Sequence, residues 1–132
     1  MLLTATLDQP QPTQILVVDD EQAQVETIRR GLFLYGYQTL GAHDARQAMQ
    51  LLQEVGADIL VTDLTMPGSS GFDLVRQVRA RDPDFPVVVI TGLVISREVD
   101  ELRRQGITVV QKPFSPDQLD AVIRRLSRRR AT

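Results

Sequence analysis

From Gln14 onward the chain alternates five short apolar runs with five longer stretches in which apolar residues recur at helical spacing. That alternation admits few folds, chief among them a parallel sheet whose strands are joined by crossover helices. The runs are Ile15 to Val18, Gln38 to Ala42, Ile59 to Thr62, Val87 to Thr91 and Ile107 to Val110. All but Gln38 to Ala42 are nearly continuous in hydrophobic residues, which predicts interior strands covered by helices on both faces. Between them, five apolar stripes mark the helices: Val25, Ile28, Leu32 and Tyr35; Ala45, Ala48, Leu52 and Val55; Leu74, Val75 and Val78; Ile95, Val99 and Leu102; and Leu119, Val122, Ile123 and Leu126. Asp44 with Gln47, and Ser115 with Pro116 and Gln118, carry the side chains of a helix start, while Gly36, Gly56 and Gly106 stand where helices end in a left-handed residue. The expected fold class is α/β, a (βα)5 doubly wound three-layer sandwich with parallel strand order 2-1-3-4-5.

Composition narrows the function. A chain of 132 residues is one domain, and 42% hydrophobic against 24% charged residues is enough apolar matter for a core. With no cysteine there is no disulfide, thiolate metal site or thiol nucleophile, and the lone His43 cannot build a histidine metal site. The formal net charge of -2 gives no global attraction to nucleic acid or to an anionic membrane. No run approaches the ~20 apolar residues of a membrane span. Residues 1–13 lack the basic start and long apolar core of a secretory signal and are expected to be a flexible lead-in; 14–127 form the domain, and 128–132 a basic tail.

In open α/β sheets ligands bind outside the carboxyl ends of the strands. Here the first run ends in Asp19-Asp20-Glu21, the third in Asp63, the fourth in Thr91-Gly92, and the fifth leads through Gln111 to Lys112-Pro113. With order 2-1-3-4-5 the carboxylates of Asp19, Asp20 and Asp63 converge. Such a cluster raises its own pKa values unless a cation is present, and hard oxygen donors suit Mg2+. Any one of these residues is ordinarily a cap, a turn residue or a surface charge. Their agreement on one edge points instead to phosphoryl transfer, with Asp63 as nucleophile, Lys112 as a point charge on the phosphoryl group and Thr91 as hydroxyl donor. No Gly-rich loop cradles a nucleotide, so the phosphoryl donor comes from another molecule.

The segments ILVVDDE (Ile15 to Glu21), DILVTDLTMPGSSGFDL (Asp58 to Leu74), VVVITG (Val87 to Gly92) and VVQKPF (Val109 to Phe114) make the chain resemble a response-regulator receiver domain of two-component signalling, over about Gln14 to Ser127. The resemblance implies a flavodoxin-like, CheY-like fold and transfer of a phosphoryl group to Asp63 from a phosphohistidine on a sensor histidine kinase or histidine phosphotransfer protein. It implies direct Mg2+ binding by Asp20, Asp63 and the main-chain carbonyl of Thr65, with Asp19 acting through water. It also implies a switch hydroxyl at Thr91, a cis Lys112-Pro113 bond, and a loop after the phosphoacceptor matched by Met66-Pro67 and Gly71. Signalling is expected through the fourth helix, fifth strand and fifth helix, a face that can pair with a second copy of the chain, with Val94 a candidate outward residue. A cytoplasmic location is the corresponding expectation.

Two departures stand out. Val109 occupies the place, three residues before the lysine, where receivers commonly carry an aromatic ring, and Leu93 follows Gly92 at a position bordering the path of attacking water. Two other readings compete. One is a receiver-shaped dimerisation or scaffold domain that no longer uses phosphate, mildly favoured by Val109. The other is a phosphatase of the haloacid dehalogenase type, which places a second Asp two residues after its nucleophile, where this chain has Thr65. The run Arg124, Arg125, Arg128, Arg129 and Arg130 lacks interleaved aromatics and is read as a solvated helix end, not a nucleic-acid contact.

Overall fold

Side chains that alternate between the two faces of each strand divide the interior into two apolar layers. The computed structural model describes residues 13–66, 69–92 and 96–131. Five strands, β1 (Gln14–Val18), β2 (Gln38–Ala42), β3 (Ile59–Asp63), β4 (Val87–Thr91) and β5 (Thr108–Gln111), form one parallel sheet in the order β2-β1-β3-β4-β5. Helices α1 (Gln22–Leu34), α2 (Ala45–Glu54), α3 (Gly71–Arg81), α4 (Arg97–Arg104) and α5 (Pro116–Ala131) follow the strands in turn. Leu16, Val18, Leu60 and Val89 pack against Ala48, Leu74, Val75, Val99 and Leu102 of α2, α3 and α4. Ile15, Val17, Val61, Val88 and Ile90 pack against Val25, Ile28, Leu32, Leu119 and Ile123 of α1 and α5. This is the expected doubly wound sandwich. Among the described residues no helix is long and apolar enough to cross a membrane.

Local signals operate as the side chains dictate. Asp44 Oδ1 accepts the Gln47 amide at 2.7 Å, and Gln47 Oε1 accepts the His43 amide at 2.9 Å. Ser115 and Gln118 close a reciprocal pair at the start of α5. Gly36, Gly56 and Gly106 have φ of 92°, 89° and 80°, conformations that a Cβ disfavours. Ser96 caps α4 by accepting the Val99 amide at 3.0 Å.

The structure departs from the sequence pattern in several places. The stripe of α2 does not extend to Val55, which is 57% exposed: the helix stops at Glu54, and Leu52 packs as expected but is joined by Met49 and Leu51. The last apolar run is not interior, because order β2-β1-β3-β4-β5 puts β5 at an edge, where Thr108 and Val109 are only half-buried. Its strand bounds shift by one residue, and β3 gains Asp63. A small antiparallel ladder between Thr65–Met66 and Ser69–Ser70 was not signalled by any alternation. The basic run continues α5, whose backbone is helical to Ala131. Residues 1–12, Pro67, Gly68, Leu93, Val94, Ile95 and Thr132 lie outside the described residues.

Candidate functional site

Strand register brings the polar strand ends together. Val18 pairs with Thr62, so Asp19 leaves β1 beside Asp63 at the end of β3. Asp63 pairs with Ile90, one residue before Thr91, and Thr91 pairs with Gln111, one residue before Lys112. The Lys112 amide donates to the Thr91 carbonyl at 2.9 Å, extending the ladder to the lysine itself. Four neighbouring strands thus deliver their C-terminal residues to one rim.

At that rim one carboxylate oxygen from each of Asp19, Asp20 and Asp63 lies within 4.8 Å of the others. Lys112 Nζ stands 3.6 Å from Asp63 Oδ2. Asp19 is 4% exposed, and its Oδ1 accepts the Glu21 amide at 3.0 Å. Burial pushes the Asp19 carboxyl up to about 6, and the charge of Asp63 and a hydrogen bond with Asp20 push the same way; the Glu21 amide and Lys112 oppose them. Desolvation, more than the mutual repulsion read from the sequence, is thus the largest cause. Thr91 is buried at the adjacent strand end, and the Lys112-Pro113 bond is cis. The chain passes from Asp63 through Leu64 into the small ladder at Thr65, which keeps the Thr65 main chain close behind Asp63. Three clustered carboxylates with one ammonium leave excess negative charge, and as hard oxygen donors they fit a divalent cation of the Mg2+ kind.

Two features of the site are not evident from motif spacing. Gly71 opens α3 so close to the strand end that a Cβ would overlap the Asp63 carbonyl oxygen and sit 2.8 Å from Leu64 Cα. Thr62, wholly buried, donates its hydroxyl to the same carbonyl at 2.9 Å. The only sequence signal for Thr62 is a hydroxyl inside an otherwise apolar run, ILVTD.

Residues 15–124 match the response regulator receiver domain model. The chain is 37% identical over 119 residues to the response regulator MprA of Mycolicibacterium vanbaalenii, covering 89% of this chain and 52% of that protein. It is also 37% identical over 117 residues to MprA of Mycobacterium ulcerans, covering 88% and 50%. The chain therefore spans about half the length of these relatives. Among solved structures, chemotaxis protein CheY4 of Vibrio cholerae aligns with a TM-score of 0.81 at 27% identity, covering 88% of this chain and 99% of that one. A response regulator receiver domain protein of Clostridium thermocellum aligns with a TM-score of 0.81 at 26% identity, covering 90% and 97%.

Proposed function

Because the chain belongs to the response regulator receiver family of two-component signalling, we propose that Asp63 is its phosphoacceptor. A carboxylate oxygen of Asp63 attacks the phosphorus of a phosphohistidine on a sensor histidine kinase or histidine phosphotransfer protein. The P–N bond breaks, its electron pair stays on the imidazole nitrogen, and an acyl phosphate remains on Asp63. Asp19, Asp20 and Asp63, with the Thr65 carbonyl, would hold Mg2+, which when bound supplies positive charge to the phosphoryl oxygens. Lys112, already 3.6 Å from Asp63, offers its ammonium to the same oxygens. Thr91 offers a hydroxyl from the neighbouring strand end.

The observation that carries this reading is the convergence of Asp19, Asp20, Asp63 and Lys112 from three strand ends. In this reading residues 14–127 are the receiver unit. Drawing Thr91 toward the phosphoryl group shifts the α4, β5 and α5 face between two populations, which changes how that face pairs with a second copy or an output partner. A cytoplasmic location goes with such a donor. The test is mass spectrometry after incubation with acetyl phosphate. One phosphate is expected on the wild type only with Mg2+ present, and none on Asp63→Ala; an unlabelled wild type, or a labelled Asp63→Ala, refutes the assignment.

A further inference from the structure

Thr62 is the one hydroxyl in β3, with no exposed surface, on the strand face shared by Leu60 and Leu64. A valine would fill nearly the same space in a strand without bringing a polar atom into an apolar layer, and a buried hydroxyl is costly unless bonded. Its bond goes to the main-chain carbonyl of Asp63, 2.9 Å away. That carbonyl lies just past the last β1–β3 pair, Val18 with Thr62. The other end of the same peptide unit, the Leu64 amide, donates to the Ile90 carbonyl at 3.1 Å, and the Leu64 carbonyl accepts the Gly71 amide at 2.9 Å. Gly71 closes over the Asp63 carbonyl so tightly that no Cβ fits.

A peptide unit is planar, so holding its oxygen and its nitrogen sets the whole plane. The plane between Asp63 and Leu64 carries the Asp63 Cα at one end and leads to Thr65 at the other. Building on the phosphoacceptor reading above, we propose that Thr62 is a positioning residue: its hydroxyl fixes this peptide plane and so aims the Asp63 carboxylate at the cluster formed with Asp19, Asp20 and Lys112. Without the hydroxyl the plane keeps its Ile90 and Gly71 contacts but loses its anchor on the carbonyl side.

The test compares Thr62→Val, which keeps shape and removes the hydroxyl, with Thr62→Ser, which restores it. Three quantities are read: the rate of Asp63 labelling by acetyl phosphate at saturating Mg2+, thermal stability, and amide hydrogen exchange of the metal-free protein. Since misplacing a reacting group by about 1 Å costs as much as a hundredfold, a partial loosening predicts about tenfold slower labelling of Thr62→Val. Thr62→Ser returns to the wild-type rate. In Thr62→Val, exchange at the Leu64 and Gly71 amides accelerates more than at Leu60 and Val61, without metal or phosphate present. Labelling of Thr62→Val at the wild-type rate overturns the proposal, as does slowing that simply follows melting temperature in both variants. A wild type that takes no label refutes the phosphoacceptor reading instead, and exchange at Leu64 and Gly71 then decides whether Thr62 holds the peptide.

Discussion

Replacing Gly71 with alanine adds one methyl group where the first turn of α3 meets the end of β3. Built on the existing backbone, that methyl overlaps the Asp63 carbonyl oxygen and comes within 2.8 Å of Leu64 Cα and 3.1 Å of the Asp63 carbonyl carbon. All three atoms are backbone, so no rotamer change relieves the clash and the start of α3 must move away from the strand. Overpacking of this kind costs about 1–3 kcal/mol, and a backbone obstacle places Gly71→Ala at the upper end. Gly31→Ala is the internal control. Its Cβ meets Pro116 at 3.6 Å, ordinary contact, inside α1, where alanine in place of glycine stabilises by about 0.5–1 kcal/mol. Urea unfolding followed by circular dichroism should therefore shift the two midpoints in opposite directions with unchanged slopes. Because two of the three obstructing atoms belong to Asp63 and α3 must shift against them, Gly71→Ala should also label more slowly with acetyl phosphate than Gly31→Ala. A Gly71→Ala protein as stable as the wild type, or a Gly31→Ala protein equally destabilised, would refute the steric argument.

Tyr37 donates its hydroxyl to Asp120 Oδ1 at 2.6 Å, and Arg124 Nε meets Asp120 Oδ2 at 3.0 Å, tying the start of β2 to α5. Burial, and then the bond to Asp120, push the Tyr37 phenol up to about 12 from 10.0. A raised folded value means that this stability is complete below pH 10 and lost as pH rises through 12. The midpoint difference between wild type and Tyr37→Phe should stay constant from neutral pH to 10 and then close; a gap unchanged to pH 12 contradicts the assignment. Asp19, pushed up to about 6, holds its proton more tightly folded than unfolded, so its ionisation costs stability as pH rises from 3.8 through 6. At neutral pH without metal, Asp19→Asn should melt higher than the wild type, and it should lose the stabilisation by Mg2+ expected of the wild type. Ser96→Ala removes the side-chain cap of the eight-residue α4 and should cost about 1 kcal/mol, with faster amide exchange confined to that helix.

The parts of this protein that were legible in its sequence are those set within a few residues. β-branched runs, helical stripes, the Asp44 and Ser115 starts and the three glycine stops all depend on local dihedral preference and near-neighbour hydrogen bonds, so the string carries them directly. Their number and order, with the known handedness of crossovers, then constrain the sheet enough to bring Asp19, Asp20, Asp63, Thr91 and Lys112 to one edge. Val55 was misplaced because its apolarity continues the period while the helix ends one residue earlier. The apolar run of β5 resembles an interior strand because helices cover both faces of the sheet even at its edge.

Tertiary structure alone decided the rest. Tyr37 and Asp120 are 83 residues apart, and no spacing rule joins them. The contact of Gly71 with Asp63, and the choice of the Asp63 carbonyl by the Thr62 hydroxyl, follow from how α3 docks on a finished strand end. Sequence determined which segments could become strands and helices, since backbone sterics act over short range. Packing determined which atoms meet at the rim, since a distance of a few ångströms between elements is the joint outcome of register, twist and core volume.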